Sequence, residues 1–264
     1  TTGMPLISAN EDAYESYGLK ASHIAPICYE CAEVTHKAAN ALIEGVEGAP
    51  IRIGSMLYVG WTREPVGWDW SSFMLSPSAD QVRALLTAPL GGRAESLTVD
   101  DTAFYAVALT ASGARIVVRD WMDTTLGQVK ANLRRYFARQ RIVSPDGSEG
   151  RPLSLFELAV ATARDLKDLT PQVPTLLLRH ALLGSPLPGW LLYQAVRRNR
   201  AEQRLTHARA ALIKMCIVDH LNLTSGEDDL VLLVPDHPSR AYQCGRLLAV
   251  LESIQRQAIS AKST

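Results

Sequence analysis

The chain reads as an α+β protein: an antiparallel sheet with helices in the first half, and a mostly α-helical second half. Three observations predict this. Residues 101–121 read as two strands joined by a tight turn at Ala111-Ser112-Gly113, and so short a connection permits only antiparallel pairing. Residues 24–43, 78–86 and 124–139 carry helical spacing or helix-start chemistry around the strands. From Leu153 onward, helical segments punctuated by Pro171, Pro174, Pro186 and Pro188 follow one another.

Leu6–Ala9 is a short apolar strand candidate. Residues 24–43 follow as a helix, with Ile27, Cys31, Val34, Ala38 and Leu42 near a three-four repeat and Pro26 in the first turn. Ile51–Trp61 reads as a strand interrupted by Gly54 and Gly60. Ser78 is placed to cap a helix running to about Leu86, and Gln81 to complete a capping box. In the strand pair, Phe104, Ala106 and Ala108 fall on one face and Tyr105, Val107 and Leu109 on the other. The second strand sets Ile116 and Val118 against Val117 and Arg119, with Gly113 supplying the positive φ of the turn. Thr124 or Thr125 caps a helix to about Arg139. The polar stretch from Ser144 to Gly150 marks a boundary, dividing the chain into an α+β domain over 1–143 and a helical domain over 151–264. The expected helices there are Leu153–Leu166, Val173–Leu183, Leu191–Leu223 and Ser239–Ala258, with Ser239 capping the last. Leu230–Val234, after the acidic turn Gly226-Glu227-Asp228-Asp229, is a strand or a buried connector.

An apolar fraction of 47% in 264 residues suits a chain that buries a real core. The 27 basic and 27 acidic side chains cancel, which is not the usual balance of a free-standing nucleic-acid binder. The cancellation hides an asymmetry: residues 1–150 carry 13 basic and 17 acidic groups, residues 151–264 carry 14 and 10. No run of about 18 apolar residues predicts a membrane span, and Thr1-Thr2-Gly3 does not open a signal peptide. Four cysteines are too few for a disulfide scaffold. They fit reduced thiols in a cytoplasm.

The densest charge lies on Lys130-Ala-Asn-Leu-Arg134-Arg135-Tyr-Phe-Ala-Arg139-Gln-Arg141, five basic groups with no acid. Leu126, Val129, Leu133 and Phe137 form the stripe that docks this helix, while Lys130 with Arg134 and Arg135 with Arg139 make rows one turn apart. Such rows follow a phosphate backbone, or else solvate a helix end where cations favour the dipole. A second stretch holds Arg197, Arg198, Arg200 and Arg204, then Arg209 and Lys214, with Glu202 the one acid between 197 and 214. It fits nucleic acid or an acidic protein neighbour. Arg115 and Arg119 share a strand face by alternation, as phosphate ligands or as ion-paired structural residues. Cys28 and Cys31 with His36, and Cys216 with His220, have metal-like spacing. The first pair lies inside an amphipathic helix, so buried small hydrophobes are the reading taken, and no metal or cofactor is expected. Asp100, Asp101 and Glu227-Asp228-Asp229 lie in turns, Gly91-Gly92-Arg93 is a weak anion loop, and no hydrolase motif occurs. Tyr17-Gly18 and Trp68-Asp69-Trp70 offer aromatics for stacking on bases or for plugging a core edge.

The run Asp101–Trp121 resembles a signature of the large subunit of the type I-C CRISPR surveillance complex (Cascade): an acidic start, an aromatic pair, an aliphatic strand, a small-residue turn, Ala-Arg-Ile, a valine-rich strand and a tryptophan. Four other stretches resemble the same family in the same order. They are Leu6–Gly18, Tyr58-Val-Gly-Trp61, Arg209-Ala-Ala-Leu-Ile-Lys214 and Ala241–Gln255. The family pattern extends beyond both ends, so the chain is similar to its middle segment. The resemblance implies a non-catalytic scaffold of an antiviral ribonucleoprotein complex. Its partners would be guide RNA, target DNA, other CRISPR effector subunits and a recruited helicase-nuclease. Guide pairing would supply sequence specificity while protein cations hold backbones. The family residues that read the flanking motif lie largely before the segment matched here. The rival reading is a protein-protein interaction domain with no nucleic-acid contact, and a hydrolase with a dispersed site is the third.

Overall fold

A computed structural model describes residues 29–45, 49–64, 66–88, 101–112, 115–143, 148–220 and 240–262. Leu6–Ala9, Tyr17-Gly18, Cys28, Gly91-Gly92-Arg93, Asp100, Gly113, the 226–229 turn, Leu230–Val234 and Ser239 lie outside them.

Ile51–Ile53 (β1) and Met56–Thr62 (β2) form a hairpin rather than one strand. The interruption at Gly54 is the turn itself: Gly54 sits at φ +60°, where a Cβ would be strained. Ala103–Ser112 (β3) and Arg115–Thr125 (β4) pair antiparallel as the alternation predicts, and β3 also pairs with β2 from Met56↔Thr110 to Thr62↔Phe104. The sheet is therefore a four-stranded meander in the order β1-β2-β3-β4. One feature was not legible. A bulge leaves Arg119 between Asp120, which faces Ala108, and Val118, which faces Leu109. The alternation that set Arg115 and Arg119 on one face is interrupted there, and the Arg115 side chain lies outside the described residues.

The inner face of the sheet carries Ile51, Ile53, Tyr58, Phe104, Ala106, Ala108 and Met122, all buried. Helices cover it. Tyr29–Glu44 (α1) lies instead against the outer face, where Leu42 and Ile43 pack on Val59, Val107 and Leu109. Trp70–Leu75 (α2) is a short helix that the sequence reading missed; Asp69 caps it by accepting from the Ser71 and Ser72 amides. Ala79–Thr87 (α3) starts at Ser78, whose hydroxyl accepts from the Gln81 amide at 3.1 Å. The box is only half closed, because the Gln81 side chain donates to Ser72 Oγ instead. Leu126–Gln140 (α4) follows β4 directly, capped by Thr125. Its expected stripe is buried, joined by Asn132, Tyr136 and Gln140.

The second half is helical: Leu155–Val160 (α5), a 3₁₀ turn at Leu166–Asp168, Gln172–Leu183 (α6), Gly189–Glu202 (α7) and His207–His220 (α8). The long helix expected over 191–223 is broken, because Gln203 adopts φ +50° and ends α7. The 153–166 helix stops after six residues, although Ser154 and Glu157 form a full capping box at its start. One apolar cluster runs from Ile51 through α4, α5 and α6 to Met215 and Cys216 of α8. Close approach of helix to sheet depends on small residues: a Cβ on Gly60 would lie 2.7 Å from the Trp70 ring. A separate unit, residues 224–264, contains Arg240–Lys262 (α9), which exposes Leu247, Leu251 and Ile254 along one side. Among the described residues, no helix is long and apolar enough to cross a membrane.

Candidate nucleic-acid interface

The two basic stretches behave differently once the partners of each cation are traced. On α4, the cations are engaged inside the molecule. Lys130 Nζ stands 5.6 Å from the Trp68 ring centroid, a cation–π contact. Arg134 donates to the carbonyls of Leu86 (2.7 Å) and Ala88 (2.5 Å), which are orphan acceptors at the C-terminus of α3. Arg135 donates to Asn132 Oδ1 at 2.8 Å, so its charge meets a neutral amide and stays uncompensated. Arg139 pairs with Asp219 of α8, with 17% and 6% of the two side chains exposed. Arg141 pairs with Glu149, whose carboxyl it holds below the usual range, and the Arg141 carbonyl accepts from Lys214 Nζ at 2.8 Å.

Asp219 is the hub of this arrangement. Its other oxygen accepts the Leu187 amide at 2.9 Å and lies 3.3 Å from His180 Nδ1. The same His180 nitrogen sits 2.8 Å from the Ser185 carbonyl, which can only accept, so the Nδ1–H tautomer is assigned. Burial holds the His180 pKa below its ordinary value, against the pull of the Asp219 charge.

On α7 the basic residues divide. Arg198 pairs with Glu202 one turn on. Glu202 also takes Arg209 at 2.5 Å, and these guanidiniums hold its carboxyl below the usual range, Arg209 foremost. Arg209 is itself buried; it donates to the carbonyls of Ala161 (3.1 Å) and Arg204 (3.0 Å), fastening the break between α7 and α8. Arg197, Arg200 and Arg204 are exposed, and among the described residues their guanidiniums make no hydrogen bond or ion pair. Within these two stretches, and among the described residues, Arg197, Arg200 and Arg204 are thus set apart from the cations spent on the fold. Helical periodicity could place these arginines on a face, and the i,i+4 spacing of Arg198 and Glu202 is part of that pattern, but it carried no sign of Asp219 as a partner. Asp219 lies 80 residues from Arg139.

The remaining candidates are structural or only partly described. Trp70 is buried against Phe104, and Trp68 packs on Phe73, so both plug the core. Cys31, expected as a buried small hydrophobe, is instead exposed on α1. Cys216 is buried, and burial pushes its thiol up to about 12, which leaves it protonated and unreactive at neutral pH. Among the described residues, no three His, Cys, Asp or Glu side chains converge as metal ligands do. A cleft of about 510 Å³ beside α3 and α4 is lined by Arg83, Arg141 and Arg151. Each of these arginines pairs with a carboxylate, Asp80, Glu149 or Glu157.

No curated protein matches this chain. A family model does, over residues 1–264, and its description is a CRISPR-associated protein, Csd1. It covers the antiparallel hairpin, the α4 helix and the α7 arginines alike. The chain belongs to the CRISPR-associated Csd1 family.

Proposed function

We propose that the chain is a non-catalytic segment of the large subunit of a type I-C CRISPR complex, scaffolding the assembly and contacting the target DNA backbone. Guide RNA, target DNA, neighbouring effector subunits and a recruited helicase-nuclease are its partners in this reading. Family membership supports the CRISPR setting. The single observation that carries nucleic-acid contact is the set of guanidiniums at Arg197, Arg200 and Arg204 that have no partner among the described residues. Phosphates are the partners such groups fit, because a planar fork of donors matches phosphate oxygens. On α4, Arg135 is the cation best able to join them, since its partner is neutral.

The test replaces Arg197, Arg200 and Arg204 by Ala together and measures target binding by the assembled complex across a salt series. Affinity should fall to a similar degree for every target sequence, because phosphate contacts carry no base information. The salt dependence should flatten by about one unit of slope per lost contact. A variant that assembles and binds with unchanged affinity and slope refutes the reading. A variant that folds but fails to assemble makes this face a protein-docking surface instead.

A further inference from the structure

α7 carries more than cations on its free side. Trp190 is 41% exposed and Tyr193 68% exposed, although both are large and apolar enough to be buried by a helix that packs on one face. At about 100° per residue, Trp190, Tyr193, Arg197 and Arg200 fall within a stripe about 80° wide. The packed side of α7, with Leu191 and Ala195 fully buried, lies on the roughly opposite side of the helix. The paired Arg198 and Glu202 fall with that packed side, so charge pairing and packing are segregated from the stripe. From Trp190 to Arg200 the stripe is about 15 Å long, at ~1.5 Å per residue. Arg204 extends its charge past the αL break at Gln203.

We infer that this stripe is a binding surface for single-stranded nucleic acid, on which Trp190 and Tyr193 stack unpaired bases while Arg197, Arg200 and Arg204 hold the backbone. The inference rests on the backbone contact proposed above and adds the strand class to it. Two features select a single strand over a duplex or an acidic protein. Base faces are available for stacking only where a strand is unpaired. The carboxylates of an acidic protein would satisfy the guanidiniums but leave the two exposed rings in line with them unused, whereas one unpaired strand supplies a phosphate and a flat base at every residue. The surface is sequence-tolerant, since every base has a face to stack.

The experiment uses this chain with three probes: a fluorescein-labelled short oligothymidylate, an abasic oligomer with the same number of phosphates, and a blunt duplex. Oligothymidylate should bind about tenfold or more tightly than the abasic oligomer, and more tightly than the duplex. Replacing Trp190 and Tyr193 by Ala together should abolish that preference with the salt slope unchanged, whereas Trp190→Phe with Tyr193→Phe should keep it. A urea midpoint equal to that of the parent chain confirms that each variant is folded. The inference is overturned if the abasic oligomer or the duplex binds as tightly as oligothymidylate. It is equally overturned if the Ala pair keeps the preference. In both cases the triple arginine variant still reports on the backbone contact: a flattened slope leaves that contact standing without stacking. If the arginine variant changes neither affinity nor slope for any probe, the backbone contact fails and the stacking surface fails with it.

Discussion

Asp219→Ala tests whether the α4 cations belong to the fold. The carboxylate is 6% exposed and accepts from Arg139 and from the Leu187 amide. Removing it strands a guanidinium that is 17% exposed, and among the described residues Arg139 Nε already has no partner. It also leaves the Leu187 amide without its acceptor. Breaking a buried ion pair by deleting one partner costs about 3–5 kcal/mol, because the survivor remains desolvated and unpaired. That is a large share of the ~5–15 kcal/mol that holds a typical domain together. With a urea slope of about 2 kcal/mol per molar, the unfolding midpoint should fall by roughly 2 M. Intrinsic fluorescence reports it, since Trp68 and Trp70 sit in or against the core. Arg139→Met combined with Asp219→Leu should recover the share owed to the stranded guanidinium, because an apolar pair replaces both charges, but not the share owed to the Leu187 amide, which still lacks its acceptor. A midpoint shift for Asp219→Ala worth less than about 1 kcal/mol, the range of an exposed pair, would refute the reasoning. So would an Arg139→Ala variant of full stability that flattens the salt dependence of DNA binding, which would put Arg139 on nucleic acid.

Two pH dependences follow, both acid-sensitive but in different windows. His180 has a pKa held below its ordinary 6.5 by burial, so the unfolded chain binds the extra proton and stability falls as pH drops through about 6.5; His180→Asn should flatten the slope of the urea midpoint between neutral and mildly acid pH. Glu157 is held at about 2, chiefly by its hydrogen bonds from Arg151. Its contribution is complete above the ordinary 4.5 and disappears as pH falls toward 2, and Glu157→Gln should remove that acid-range loss when thermal unfolding is followed by circular dichroism. At neutral pH, Ser154→Ala should cost about 1 kcal/mol, since it opens the box that starts α5.

Much of the fold was legible because it is set by short-range pattern. The alternation of β3 separates Phe104, Ala106 and Ala108, which enter the main core, from Val107 and Leu109, which pack under α1. Ser78 caps α3 and Thr125 caps α4 through hydroxyls whose role is local. What escaped has less local signal. Gln203 in the left-handed region breaks a periodic run without glycine or proline to announce it. Beside it, the Arg209 guanidinium holds the Arg204 carbonyl from the next helix. Asp69-capped α2 is only six residues long, and its Trp-Asp-Trp start reads as a loop. The bulge beside Leu109 leaves no mark in a valine-rich strand.

The candidate interface was legible only as far as charge density, and density did not decide it. A neutral chain does not argue against nucleic acid once pairing is followed residue by residue. Asp120, Glu149, Glu157, Asp219 and Glu202 are each taken by an arginine of the same chain: Arg179, Arg141, Arg151, Arg139, and Arg198 with Arg209. Those five acids are therefore committed to internal cations. At an ionic strength where the Debye length is ~8 Å, a passing strand responds to cations within about that distance. Near the free face of α7 those are Arg197, Arg200 and Arg204, while Glu202 is committed to two guanidiniums on the packed side. The quantity that bears on binding is thus local charge after pairing. The same five basic residues that make α4 the densest stretch in the sequence leave it with less free charge than their number suggests.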